Sequence, residues 1–239
     1  MEGAEPATDP RRGGEVVEHF RELGIDAFTT GRDAGSFGTQ SDEPVQVVMG
    51  RWSALRRSLG TSRLATATQV HGDRVVVHSA EWRGWLRGDA ADGHLAPERG
   101  TAMAVTIADC VPVFIAHASG ATAVLHSGWR GTAARITARA IERFTQLGIS
   151  ASELRAHCGP AICGQCYEVS ADVAAQLTGH DPGRAVNVDL RAIIAGHARD
   201  LGVRDVTVSS LCTRCDNDRF YSHRAGDAGR QLAVIVGAS

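Results

Sequence analysis

Thr101 to Thr132 reads TAMAVTIADCVPVFIAHASGATAVLHSGWRGT. Three short apolar runs lie inside it, Thr101 to Ile107, Val111 to His117 and Thr122 to His126. Each is rich in Val and Ile and too short for a helix, so each reads as a buried strand. Asp109 and Cys110 sit between the first two runs. After the third, His126-Ser127-Gly128-Trp129-Arg130-Gly131-Thr132 turns from strand into helix. Ile136, Ala140, Phe144 and Leu147 then recur at spacings of four, four and three, one face of an amphipathic helix.

Outward from this stretch the pattern alternates. Leu64 to Gln69 and Asp73 to His78 read as strands, preceded by a helix over Val45 to Leu59 with Ser41 and Asp42 as cap candidates. Towards the C-terminus, Ser170 opens a helix through Leu177 and another runs from Leu190 to Leu201. Val206 to Ser209 and Leu232 to Val236 return to strand character. Strands come in clusters with helices between some of them, which predicts an α+β or layered α/β fold. One domain is expected over residues 18–239, behind a Gly-, Pro- and charge-rich segment, residues 1–17, expected to be disordered.

Composition removes several classes of function. Twenty-five basic and 27 acidic residues among 239 give a formal charge of −2, with no basic stripe suited to nucleic acid. No apolar run reaches the ~18 residues a membrane span needs, and the N-terminus lacks the apolar centre of a secretory signal. A soluble cytoplasmic protein is expected. All the basic residues are arginine, which excludes Schiff-base chemistry, a Walker-type phosphate loop and Ser–Lys hydrolysis.

Reactive side chains concentrate in three segments at strand ends. Gln69-Val70-His71-Gly72 lies between two strands, Ala108-Asp109-Cys110-Val111-Pro112 between two more, and His126 heads the third segment. Taken singly, each could be a core imidazole or an inert thiol. The glycines beside both histidines argue for turns or close approach. Together His71, Cys110 and His126 form a possible His₂Cys catalytic zinc set, with one position open to water. Zinc would lower that water's pKa towards about 7. A Cys–His nucleophile pair is the alternative for the same residues. The Gly-rich turn into a helix reads as an anion site, with Arg130 as its cationic fork. Asp92 and Asp109 are candidates for a general base or for orienting an imidazole. The lack of any His-x-His pair argues against multicopper chemistry. Separately, Cys163-Gly-Gln-Cys166 and Cys212-Thr-Arg-Cys215, with a 45-residue spacer, are two knuckles that could share a structural zinc or remain reduced thiols.

Gln69-Val70-His71-Gly72, Ala108 to Val113, His126 to Thr132, Gly159-Pro160-Ala161-Ile162, Cys166-Tyr167-Glu168-Val169 and Phe220-Tyr221-Ser222-His223-Arg224 occur in that order. In this the chain resembles the laccase-domain, or polyphenol oxidase, family over residues 64–236. The resemblance implies a four-layer α/β/β/α sandwich, similar to the catalytic domain of deamidating bacterial toxins. It implies zinc, with copper disfavoured, held by His71, Cys110 and His126. It implies phosphorolysis of adenosine, inosine or methylthioadenosine and deamination of adenosine, with purine nucleoside and phosphate as partners. Gln69, Tyr167, Arg130 and Arg224 fall at positions expected to contact substrate or phosphate. Some relatives are instead linked to peptidoglycan-precursor editing. The chain departs from the pattern at Thr68, at Ser127, at His223-Arg224-Ala225 where two arginines are usual, and at Thr29 to Gly35. These departures bear on substrate contacts more than on the metal set.

Overall fold

A computed structural model describes residues 9–39 and 42–238. The opening stretch becomes three consecutive strands, β7 (Thr101–Ile107), β8 (Val111–Ala116) and β9 (Thr122–Ser127). They do not stay in one sheet. β7 belongs to a first six-stranded sheet and β8 and β9 to a second, so the turn Ala108-Asp109-Cys110 carries the chain from one to the other.

The first sheet adds β1 (Glu15–Val16), β2 (Ile25–Thr29), β3 (Arg63–Ala67), β5 (Gly84–Gly88) and β14 (Gln231–Gly237), in the order β1-β2-β14-β7-β3-β5. The second adds β4 (Val75–Val77), β6 (Gly93–Ala96), β10 (Arg155–Cys158) and β13 (Asp205–Val208), in the order β13-β10-β8-β9-β6-β4. Both are mixed. β3 runs parallel to β5 and β7, while β14 is antiparallel to β2 and β7. β8 and β9 pair antiparallel from Val111↔Ser127 to Ala116↔Thr122. The helices are α1 (Val45–Ser58), α2 (Trp129–Ala133), α3 (Ile136–Gln146), α4 (Ala171–Thr178) and α5 (Leu190–Asp200); β11 (Glu168–Val169) and β12 (Val186–Asn187) form a small ribbon.

The two-residue period of a strand distributes the central strands over three cores. Met103, Val105 and Ile107 of β7 face Phe114, Ala116 and Val124 of the second sheet, forming the core between sheets. Ala102 and Ala104 point the other way, onto Val48, Trp52 and Leu55 of α1. Val111, Val113 and Ile115 of β8 meet Ile136, Ala140, Ile141 and Phe144 of α3 and Ile194 of α5. The packed order is therefore α1, first sheet, second sheet, then the remaining helices. Strands buried on both faces carry continuous apolar sequence, which is why these runs read so clearly.

Several boundaries differ from the sequence reading, each for a local reason. Glu15–Val16 pairs with Thr29 and Phe28, and Val17 is buried, so residues 9–17 pack against the fold rather than forming a disordered segment; residues 1–8 lie outside the described residues. The cap expected at Ser41 or Asp42 is not formed by Asp42, because Pro44 precedes α1 with no side-chain cap, and Ser41 lies outside the described residues. The helix after Gly128 is interrupted: Arg135 takes φ +60, ending α2 after five residues and starting α3 afresh. Leu147 caps α3 and is exposed instead of completing its apolar face. No helix among the described residues is long and apolar enough to cross a membrane.

Candidate metal centre

Three connections pass from the first sheet to the second: β3 to β4 through His71, β5 to β6 through Asp92, and β7 to β8 through Cys110. They meet at one end of the sandwich, where His126 lies near the end of β9. One nitrogen from each of His71 and His126 and the Cys110 sulfur all fall within 4.8 Å of one another. The two imidazoles meet edge to face, with centroids 4.7 Å apart. His71 is exposed, Cys110 half-buried and His126 buried, so the set opens to solvent on one side only.

Asp92 organises this cluster from beneath. Its carboxylate is fully buried and accepts from the backbone N–H of Val70 (3.1 Å), His71 (2.9 Å) and Gly72 (2.8 Å). The fourth partner is His126 Nδ1 at 2.8 Å. Two bonds to each oxygen fill the roughly four acceptor positions of a carboxylate. Burial opposes its charge, but His126 and the Gly72 and Val70 amides outweigh burial and hold Asp92 below the usual carboxylate range. The His126 ring is thereby fixed through Nδ1, leaving Nε2 as its ligand nitrogen. A carboxylate in this position orients a metal-bound imidazole and raises its basicity.

The same arrangement polarises the thiol. Burial would push Cys110 up, yet the imidazoles of His126 and His71 bring it down to about 6. Burial would lower His126, but the Cys110 thiolate and Asp92 carry it up to about 9. Both shifts favour a thiolate beside an imidazolium, and a divalent cation would compete with the proton for the same donors.

Backbone geometry makes room for it. Among the described non-glycine residues, His71 (φ +61), Asp109 (φ +81) and Arg135 have positive φ, and the first two are in the centre. Left-handed backbone at such residues costs of the order of 1–3 kcal/mol each unless it is held in place. Asp92 holds the first through the 70–72 amides. Asp109 is held by Thr213 Oγ1 (2.6 Å) and the Arg224 N–H (2.7 Å), both donating to its carboxylate. At Gly128 a Cβ would lie 2.9 Å from Cys110 Sγ and 3.2 Å from His71 Cδ2, so only glycine fits. The expectation that glycines mark close approach holds at this position.

The other expected residues spread out. Tyr167 is half-buried beneath Arg224, whose guanidinium carbon lies 5.1 Å from the ring centroid. Burial and then the Cys110 thiolate raise the Tyr167 hydroxyl, while Arg224 and Arg130 lower it, so charges of the centre reach this side chain. Arg130 is exposed and stacks on Trp129 at 4.4 Å. The helix at the expected anion site is only five residues long, so its dipole is small and Arg130 is the main positive charge there. Gln69 is bound through both ends of its amide to Thr106, on the wall of a separate cavity of about 470 Å³ with Trp52, Trp85, Arg87 and His223. Thr213 went unnoticed in the sequence. Its only signal was its place inside Cys212-Thr-Arg-Cys215.

A His₂Cys ligand set, two members on loops joining the sheets and the third near the end of β9, defines an open, candidate metal-binding centre on an α+β scaffold. Residues 21–238 match the family described as multi-copper polyphenol oxidoreductase laccase, and the chain belongs to it. It is 36% identical over 230 residues to a purine nucleoside phosphorylase of Deinococcus radiodurans, covering 87% of each chain. With a purine nucleoside phosphorylase of Streptomyces coelicolor it shares 34% identity over 208 residues, covering 83% of this chain and 85% of the relative. Among solved structures it is similar to YlmD of Geobacillus stearothermophilus, with TM-score 0.82 and 26% identity over 90% of this chain and 93% of that one. The hypothetical protein YfiH of Bacillus licheniformis, at 23% identity, shares the fold with TM-score 0.85 over 98% of each chain.

Proposed function

We propose that the protein is a zinc-dependent purine nucleoside phosphorylase, with His71, Cys110 and His126 as metal ligands. The observation that carries this is the convergence of those three donors beside Tyr167 and Arg224, in a chain whose relatives carry that name. The family description names copper, but the donor set suits zinc better. A blue-copper site adds a weak axial thioether to His₂Cys. Met103 is packed between the sheets, and Met49 lies on α1 against the core beneath that helix, so neither described methionine is available.

Bound zinc would supply Lewis acidity and charge at the reacting end of the substrate. Asp92 is a positioning residue: with its acceptor sites filled, it fixes His126 and the His71 loop and has none left to move a proton. Asp109 has two protein donors and retains acceptor capacity. Arg224 and Arg130 supply forked cations for phosphate, and Tyr167, kept protonated by burial, presents a hydroxyl donor. In phosphorolysis a phosphate oxygen bonds to C1′ of the ribose as the bond to the purine nitrogen breaks. The departing base takes a proton. Deamination of adenosine, in which water replaces the C6 amino group and ammonia leaves, is a second activity of the same centre, with Asp109 as its proton carrier.

Chromatography of adenosine, inosine and methylthioadenosine, incubated with and without phosphate, tests this reading. Free base and sugar phosphate should form only with phosphate, and inosine from adenosine in either case. A protein with zinc at His71, Cys110 and His126 that yields no product from any of the three rejects it. The thiolate–imidazolium pair favours one other reading, a metal-independent Cys–His amidase with Cys110 as nucleophile. Chelator-resistant turnover of an amide, with covalent labelling of Cys110, would select that reading.

A further inference from the structure

Four of the five remaining cysteines form a second cluster on the two knuckles. The sulfurs of Cys163, Cys166, Cys212 and Cys215 all lie within 4.8 Å of one another. Zinc–sulfur bonds of about 2.3 Å in a tetrahedron put sulfurs about 3.8 Å apart, so the cluster has the span of such a site. Cys166 Sγ and Cys215 Sγ are 3.5 Å apart, and none of the four cysteines is in a disulfide.

The backbone around the cluster is arranged for thiolates. The N–H groups of Cys163 (3.3 Å) and Cys215 (3.4 Å) both donate to Cys212 Sγ. Each Cys-x₂-Cys segment turns back on itself: Cys166 N–H donates to the Cys163 carbonyl at 3.0 Å, and Asp216 N–H to that of Cys212 at 2.8 Å. Donors aimed at a sulfur favour its ionised form. The two segments are brought together by a parallel bridge, Ala161↔Cys212, and by Thr213 N–H donating to the Ala161 carbonyl at 3.2 Å. Such a bridge overcomes the 45-residue separation that makes the spacing unlike a zinc ribbon. Arg214, between the two cysteines of its knuckle, donates to the Cys166 carbonyl and leaves a cation beside the cluster.

We propose that Cys163, Cys166, Cys212 and Cys215 bind one zinc ion as a closed tetrathiolate site, separate from the centre at Cys110. Binding releases the thiol protons and leaves no coordination position for water, so the site is structural. It clamps the two segments that flank Asp109. The 212–215 knuckle carries Thr213, which bonds the Asp109 carboxylate, and the 161–167 segment carries Ile162, whose N–H donates to the Asp109 carbonyl at 3.1 Å, and Tyr167. The second metal thus sets one wall of the first.

The test is elemental analysis of untagged protein purified without chelator, combined with cobalt replacement. Wild-type protein should contain two zinc ions per chain, one for each cluster. The Cys110→Ala/His126→Ala variant should keep one. Its cobalt form should show the intense sulfur-to-metal absorption of four thiolates. Adding Cys166→Ser and Cys215→Ser, the more accessible pair, should remove the remaining zinc and lower the melting temperature. Three results would overturn the proposal: a folded Cys110→Ala/His126→Ala protein with no metal and four thiols open to a disulfide reagent, a Cys166–Cys215 disulfide in the native protein, or iron in place of zinc. These readouts need no turnover, so they stand whichever nucleoside reaction the first centre performs.

Discussion

Cys110 and Cys158 stand near the same end of the second sheet and have opposite chemistry. Cys158, the last residue of β10, pairs in register with Val113 on β8, three residues beyond Cys110. Burial pushes the Cys158 thiol up to about 12, against weak opposition from Arg191 and Arg199. Burial acts on Cys110 in the same direction, yet two imidazoles bring it down to about 6. Burial therefore does not decide whether a cysteine in this fold is reactive. Neighbours decide it: His126 at the end of β9 and His71 on its loop reach the Cys110 sulfur, whereas the arginines near Cys158 do not overcome burial.

Replacing the two thiols should separate these roles most sharply. Cys110→Ala should abolish nucleoside turnover and remove the first metal, whereas Cys158→Ala should leave turnover within about twofold of wild type. Equal losses in steady-state assays of both variants would break the contrast. Next comes reactivity. In metal-stripped protein at neutral pH, iodoacetamide should modify Cys110 orders of magnitude faster than Cys158, since the thiolate is the attacking form. Peptide mass mapping over a time course reads both rates at once.

Asp92→Asn probes the support of the reactive thiol's partner. An amide cannot accept all four bonds, so His126 should lose its fixed orientation. Metal affinity or activity should fall by about 10–100-fold, the usual range for such outer partners. Competition with a chromophoric chelator measures it, and an unchanged affinity would mean that His126 needs no help.

A smaller effect concerns another buried imidazole, His94. Its Nδ1 contacts His78 Nε2 at 3.0 Å, and its Nε2 has no hydrogen-bond partner among the described residues. Burial, then repulsion from His78, lowers it to about 3 despite the Asp92 charge. The unfolded chain takes up that proton first, near the ordinary value of 6.5. Stability is accordingly complete above pH 6.5 and lost as pH falls towards 3, by up to about tenfold in the folding constant per pH unit. Denaturant titrations across that range should show the slope, and His94→Leu should flatten it. The smallest effect returns to Cys158: its alanine variant should cost about 1 kcal/mol of stability, the usual size for a modest core truncation.

The central strands were legible because both of their faces are buried, which writes them as unbroken apolar runs. β5 and β6 were not. β5 (GWLRG) is a half-exposed edge strand and β6 (GHLA) is four residues long, so each owes its form to its neighbours β3 and β9 rather than to its own pattern. The break at Arg135 was equally silent, since a left-handed arginine leaves no mark in a sequence. In the centre, His71, Cys110 and His126 could be picked out by residue type and adjacent glycines. Their support could not. Nothing in the sequence says that Asp92 is saturated by the 70–72 amides, or that Thr213 reaches Asp109 across 104 positions.

The three crossings between sheets have one more consequence. Because His71, Asp92 and Cys110 each ride on a link between layers, the metal set acts as an alignment gauge for the sandwich. A slide of one sheet over the other by a fraction of an ångström would be felt there first. Truncating Phe114, which is wholly buried between the layers, should disturb ligand affinity before it unfolds the chain.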